Sequence, residues 1–137
     1  MLKKIYNEVT REWDTSVEEA LKSFIRLPAL SPDFDKKWEE NGVLLKALEE
    51  AKAWAEKQGI KGLRCEIIKD DGFTPCLFIE VDATSDKKFE RSVFFYGHLD
   101  KQPPNEGWDP DKSAWEPVIQ NGRLYLSLIH ISEPTRR

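Results

Sequence analysis

Ser92-Val93-Phe94-Phe95-Tyr96 carries no charge and is almost wholly apolar, and it runs directly into Gly97-His98-Leu99-Asp100. Continuous apolarity over so short a run suits a strand covered on both faces, because a strand with one wet face alternates instead. Residues 92–96 are therefore expected to lie inside a sheet, with helices layered against it.

Upstream, two further stretches read as strands. Leu63 to Lys69 is one. Thr74 to Asp82 is the other, with Cys76-Leu77-Phe78-Ile79-Glu80-Val81 at its centre. Between them Asp70-Asp71-Gly72 is a turn signal, since glycine accepts the backbone angles a tight reversal demands. Thr84-Ser85-Asp86-Lys87-Lys88 reads as a polar loop before the third strand.

The first half of the chain has helical periodicity. Ser16 followed by Glu19 resembles a capping box, after which Ala20, Leu21, Phe24 and Ile25 recur at helical spacing. Pro28 and Pro32 end that helix. A second helix is expected from Phe34 to Gln58. Its apolar stripe is Val43, Leu44, Ala47, Leu48, Ala51, Trp54 and Ala55, read as core packing, and Gly59 stands where a left-handed cap belongs. Two helices followed by strands predict an α/β layered domain with a mixed sheet. Downstream, residues 101–117 form a loop rich in proline, glycine and tryptophan. A last strand pair is expected at Glu116–Ile119 and Arg123–Tyr125, joined at Asn121-Gly122.

The 137 residues are 39% hydrophobic and 34% charged, which predicts a globular chain rather than a disordered one. A net charge of -4 offers no basic footprint, so neither nucleic acid nor an anionic membrane is an expected partner. No run of about 18 apolar residues occurs, and no apolar run follows Lys3-Lys4, so neither a membrane span nor a secretory signal is expected. The two cysteines, Cys65 and Cys76, lack metal-type spacing and read as reduced thiols of a cytoplasmic protein. Their cross-strand pairing stays open, because they fall on neighbouring expected strands.

The chemistry concentrates at Gly97-His98-Leu99-Asp100. Strand alternation points His98 and Asp100 to one side, and ligands of α/β sheets gather at the carboxyl ends of strands. Gly97 would leave room for close approach. A neutral imidazole is a good zinc ligand, and a nearby carboxylate can orient it. The alternative is a structural histidine bonded to its neighbour. Trp108 and Trp115 are read as packing the loop to the domain, and Asp109 and Asp111 as solvated charges.

Tyr96-Gly97-His98-Leu99-Asp100-Lys101-Gln102-Pro103-Pro104 does not stand alone. With Gly107-Trp108, Trp115-Glu116-Pro117 and Asn121-Gly122-Arg123-Leu124-Tyr125, it resembles the M20 family of zinc metallopeptidases. Phe24-Ile25-Arg26-Leu27-Pro28-Ala29-Leu30-Ser31 is similar to the segment that leads into that family's catalytic domain. The resemblance covers roughly residues 15–125. Lys101-Gln102-Pro103-Pro104 tilts it toward the dipeptidase, carnosinase-like branch. It implies a catalytic domain holding two divalent metal ions, usually zinc, with a smaller lid or dimerisation domain inserted, and hence a homodimer. His98 matches the first metal-ligand histidine. Asp100 matches the catalytic aspartate that supports the site without being a principal ligand. The implied reaction is amide hydrolysis of a small peptide or an N-acyl amino acid, by a metal-bound water with a glutamate as general base.

After Tyr125 the family continues with a glycine-arginine-glycine turn and paired aspartates, one of which bridges the metals. This chain instead reads Leu126-Ser127-Leu128-Ile129-His130-Ile131-Ser132-Glu133-Pro134-Thr135-Arg136-Arg137. That string resembles the translation of a transposase-based sequencing adapter. Residues 1–125 are accordingly read as a partial M20-like catalytic domain, the N-terminal and incomplete portion. Residues 126–137 are read as a non-native tail, so His130 is not enlisted as a ligand. One histidine cannot hold a catalytic zinc, which takes about three protein ligands, so the chain alone is expected to be inactive. Its apolar strand would lack partners and favour aggregation. Two other readings remain: an N-acyl-amino-acid deacylase of the same superfamily, and a short non-enzymatic binding domain.

Overall fold

The computed structural model describes residues 2–83 and 92–125. The loop expected at 84–88, the tail at 126–137 and His130 lie outside the described residues. What is described is a mixture of helices and small antiparallel sheets in two compact units. One unit joins the chain up to Pro28 with the chain from Gln102 onward, and the other runs from Ala29 to Lys101. No described helix is long and apolar enough to cross a membrane.

The first unit opens with α1 (Leu2–Glu12), a π-helical turn (Trp13–Val17) and α2 (Glu18–Arg26). The capping box expected at Ser16 and Glu19 does not form. The chain is already helical when it reaches Ser16, with Val17 at φ -70 and ψ -43, so there is no helix start to cap. Glu19 instead accepts from Lys22 Nζ at 2.9 Å, while Glu18 accepts from the same amine at 2.6 Å. The Thr15 hydroxyl donates to the Arg11 carbonyl at 2.8 Å, the side-chain back-bond that commonly loosens a helical ladder. Helix α2 ends at Leu27, which turns to φ -78 and ψ 117 just ahead of Pro28, where sequence placed the end.

The same unit closes with β3 (Val118–Gln120) and β4 (Arg123–Tyr125), paired antiparallel with Gln120 opposite Arg123. Asn121 at φ 52 and Gly122 at φ 70 form the two-residue link, both left-handed as the tightest hairpin requires. Ile25, Leu27, Ala114 and Pro117 are buried, and Arg26 reaches Glu116 at 3.2 Å.

The second unit carries α3 (Trp38–Asn41) and α4 (Val43–Lys57) where one helix was expected. Gly42 at φ 67 breaks it, and the Asn41 side-chain oxygen accepts the Val43 N–H at 2.9 Å, restarting the helix. The stripe of α4 behaves as expected. Leu44, Ala47, Leu48 and Ala55 are buried, the helix packs on both strands that follow, and Gly59 takes φ 64 just beyond its end. Those strands are β1 (Leu63–Ile68) and β2 (Cys76–Val81), antiparallel with Cys65 opposite Ile79 and Ile68 opposite Cys76. This register puts the cysteines on opposite faces of the ribbon, so they cannot pair, and both are free thiols. Gly72 at φ 77 and a 3.1 Å bond from Phe73 N–H to the Asp70 carbonyl make the turn between them.

The strand expected at 92–96 is the main correction. Residues 92–100 take no regular secondary structure and belong to no described sheet, and Val93, Phe94, Phe95 and Tyr96 are 79%, 82%, 87% and 85% exposed. An apolar run becomes a buried strand only when neighbours pair its backbone and cover both faces. Among the described residues β1 and β2 form a ribbon of their own, and none pairs with 92–96. The single layered sheet predicted from sequence is thus replaced by two separate two-stranded ladders.

Candidate functional site

Residues 97–101 are held from one end. Lys101 forms an isolated parallel bridge with Leu30: its N–H donates to the Ala29 carbonyl at 2.8 Å, and its carbonyl accepts from Ser31 N–H at 2.9 Å. Two backbone bonds to a segment some seventy positions earlier fix where the chain stands as it leaves Asp100. Sequence gave no sign of this contact, since neither Ala29-Leu30-Ser31 nor Lys101 carries strand periodicity. Lys101 itself is only 3% exposed, and burial lowers its amine from 10.5 to about 8.

His98 and Asp100 meet as alternation required. His98 Nδ1 lies 3.0 Å from the Asp100 carbonyl oxygen and 3.1 Å from its Oδ1. Both neighbours are acceptors, so Nδ1 carries the hydrogen and donates. In the neutral ring that leaves the lone pair on Nε2, the tautomer in which a carboxylate-oriented histidine binds a metal. The imidazole is exposed and the carboxylate half-buried. Where the structure departs from expectation is the mounting: the pair sits on a segment without regular secondary structure, not at the end of a buried strand. Gly97 does not take a left-handed φ, and an added Cβ would meet nothing within 4 Å among the described residues.

Among the described residues no three His, Cys, Asp or Glu side chains come together. A catalytic zinc takes about three protein ligands, so His98 with Asp100 beside it does not make up a complete site. Asp109 and Asp111 do not join it. Both are exposed and bind Lys112 Nζ, at 2.7 Å and 3.3 Å, and the ammonium holds the Asp109 carboxyl below its usual range. Lys112 also lies 4.7 Å from the centre of the Tyr125 ring, a cation–π contact that ties the loop to β4 and that sequence did not reveal. Trp108 and Trp115 are half-buried, and the Trp108 Nε1 hydrogen is buried without an acceptor among the described residues.

No known protein family's sequence profile matches this chain, and no curated protein matches it.

Proposed function

We propose that residues 1–125 contribute part of the catalytic domain of a metal-dependent amide hydrolase, with His98 as one zinc ligand and Asp100 as its orienting carboxylate. The remaining ligands and the general base then lie outside the described residues. The observation that carries the reading is the bond from His98 Nδ1 to Asp100, which leaves Nε2 free to bind a cation. It is supported by the motif string from Tyr96 to Tyr125, whose resemblance to M20 peptidases implies a dipeptidase acting on small peptides. A bound zinc would supply an activated water. What this chain's residues do is narrower: Asp100 fixes the tautomer and aim of His98.

Zinc titration by calorimetry, read together with the imidazole nitrogen resonances, tests this on the chain itself. The expected result is weak binding that shifts the His98 Nε2 signal and is abolished by His98→Ala. Tight one-to-one binding that survives His98→Ala would overturn it. Substrate profiling of a chain that carries the proposed further ligands beside residues 1–125 separates the two chemistries. Faster cleavage of dipeptides supports the dipeptidase reading, and faster cleavage of N-acyl amino acids replaces it with a deacylase.

A further inference from the structure

We propose that Asn121 is a site of spontaneous modification, where the Gly122 backbone nitrogen displaces the side-chain amide and leaves aspartate or isoaspartate in the turn, while the fold protects Asn41 from the same reaction. Four asparagines occur in the chain, and two of them, Asn41 and Asn121, precede a glycine. Asn7 and Asn105 precede glutamates. Glycine has no Cβ to crowd its own nitrogen, which can therefore approach the preceding side chain. The reaction balances with solvent water as its one co-reactant. The Gly122 nitrogen gives up its proton and bonds to Asn121 Cγ, the Cγ–Nδ2 bond breaks, and the amide nitrogen leaves as ammonia. Water then opens the five-membered imide. Cleavage of the new N–Cγ bond gives aspartate, and cleavage of the original peptide C–N bond gives isoaspartate.

The two Asn-Gly pairs differ in what holds the reacting atoms. At Asn41 all of them are engaged. Its Nδ2 donates to Asp35 Oδ2, its Oδ1 accepts the Val43 N–H at 2.9 Å, and the Gly42 N–H donates to the Trp38 carbonyl at 3.3 Å. Attack on Asn41 Cγ requires these bonds to break together. At Asn121, among the described residues, no hydrogen bond holds the side chain or the Gly122 N–H. The left-handed angles of this turn, φ 52 and φ 70, aim the Gly122 nitrogen away from the Asn121 side chain, so the turn must open before the two meet. Opening is easy at this tip. Residues 119–123 are exposed, β3 and β4 have three residues each, and so short a ladder is marginal where nothing packs on it. The two products differ in consequence. Aspartate accepts the left-handed turn and adds a negative charge there. Isoaspartate routes the backbone through an added methylene and so disrupts the pairing of Gln120 with Arg123.

This inference does not rest on the reading of His98. Peptide mapping by mass spectrometry, with isoaspartate read separately from aspartate, tests it on the full chain held at mildly alkaline pH, folded and in concentrated urea. In the folded chain Asn121 should convert at least about tenfold faster than Asn41, because the side-chain and backbone bonds at Asn41 must break as well. In urea the two rates should converge, since only the shared Asn-Gly pair then counts. Asp35→Ala, which frees the Asn41 amide, should raise conversion at Asn41 by about fivefold and leave Asn121 as it was. Asn41 keeping pace with Asn121 in the folded chain, a difference that persists in urea, or an Asn41 rate that ignores Asp35→Ala would overturn the proposal. Unchanged far-ultraviolet circular dichroism of the variant confirms that the comparison is between folded chains.

Discussion

Replacing Lys101 with methionine tests how firmly the segment leaving Asp100 is enclosed. Lys101 is 3% exposed, and burial lowers its amine from 10.5 to about 8. Because the folded pKa is the lower one, the unfolded chain holds a proton that the folded chain has released between about 8 and 10.5. Stability contributed by this group therefore rises with pH through that window. Below it both forms are charged and the folded chain bears the whole desolvation cost, on the order of 3 kcal/mol; above it both are neutral and the cost is gone. Lys101→Met keeps an unbranched stem and both backbone bonds to Ala29 and Ser31, and removes the charge. The variant should be the more stable protein at neutral pH, by up to about that amount. Urea unfolding of both proteins at a series of pH values measures it. Subtracting the variant's curve cancels the tyrosines, thiols and other lysines that titrate nearby. The wild-type deficit should shrink at no more than about 1.4 kcal/mol per pH unit and vanish in the alkaline limit. A difference that stays flat across the window, or widens as pH rises, would refute the assignment of a buried, depressed amine.

Other substitutions probe separate parts of the account. Leu48→Ala empties a buried position on α4 and should cost about 2–5 kcal/mol in denaturant unfolding, because the helix packs there on β1 and β2. Gly122→Ala places a side chain at φ 70 and should cost about 1 kcal/mol, read as weakened pairing of Val118 with Tyr125 in nuclear Overhauser contacts. Asp100→Ala removes the Oδ1 acceptor of His98 Nδ1 and should weaken zinc binding at that imidazole by about ten- to a hundredfold, while the residue 100 carbonyl still favours the hydrogen on Nδ1.

What sequence revealed and what it did not divides along physical lines. Features set within a few residues were legible. The α4 stripe follows from the 3.6-residue repeat of Leu44, Leu48 and Ala55, and Gly72 and Asn121-Gly122 are dictated by backbone angles that few residues accept. The contact of His98 with Asp100 is equally local, joining residues only two apart. Features that depend on distant chain were not. Apolarity in 92–96 announces a demand for cover but does not supply the strands that would provide it. The bridge between Leu30 and Lys101 joins segments whose local patterns are silent about each other. The break at Asn41-Gly42 was locally readable, since asparagine followed by glycine invites a left-handed residue. It was masked by the strength of the helical stripe on one side. A metal site is the extreme case of distance dependence, because its ligands converge from scattered positions and a single histidine carries only its own share of the geometry.

The central claim is that the His98 imidazole is a metal ligand in an amide hydrolase. The most direct test is zinc content with dipeptide hydrolysis, measured on a chain that carries the proposed further ligands beside residues 1–125, with and without His98→Ala. Loss of one bound zinc together with hydrolysis falling to background is the predicted result. Zinc content and turnover that match the unsubstituted protein would contradict the claim.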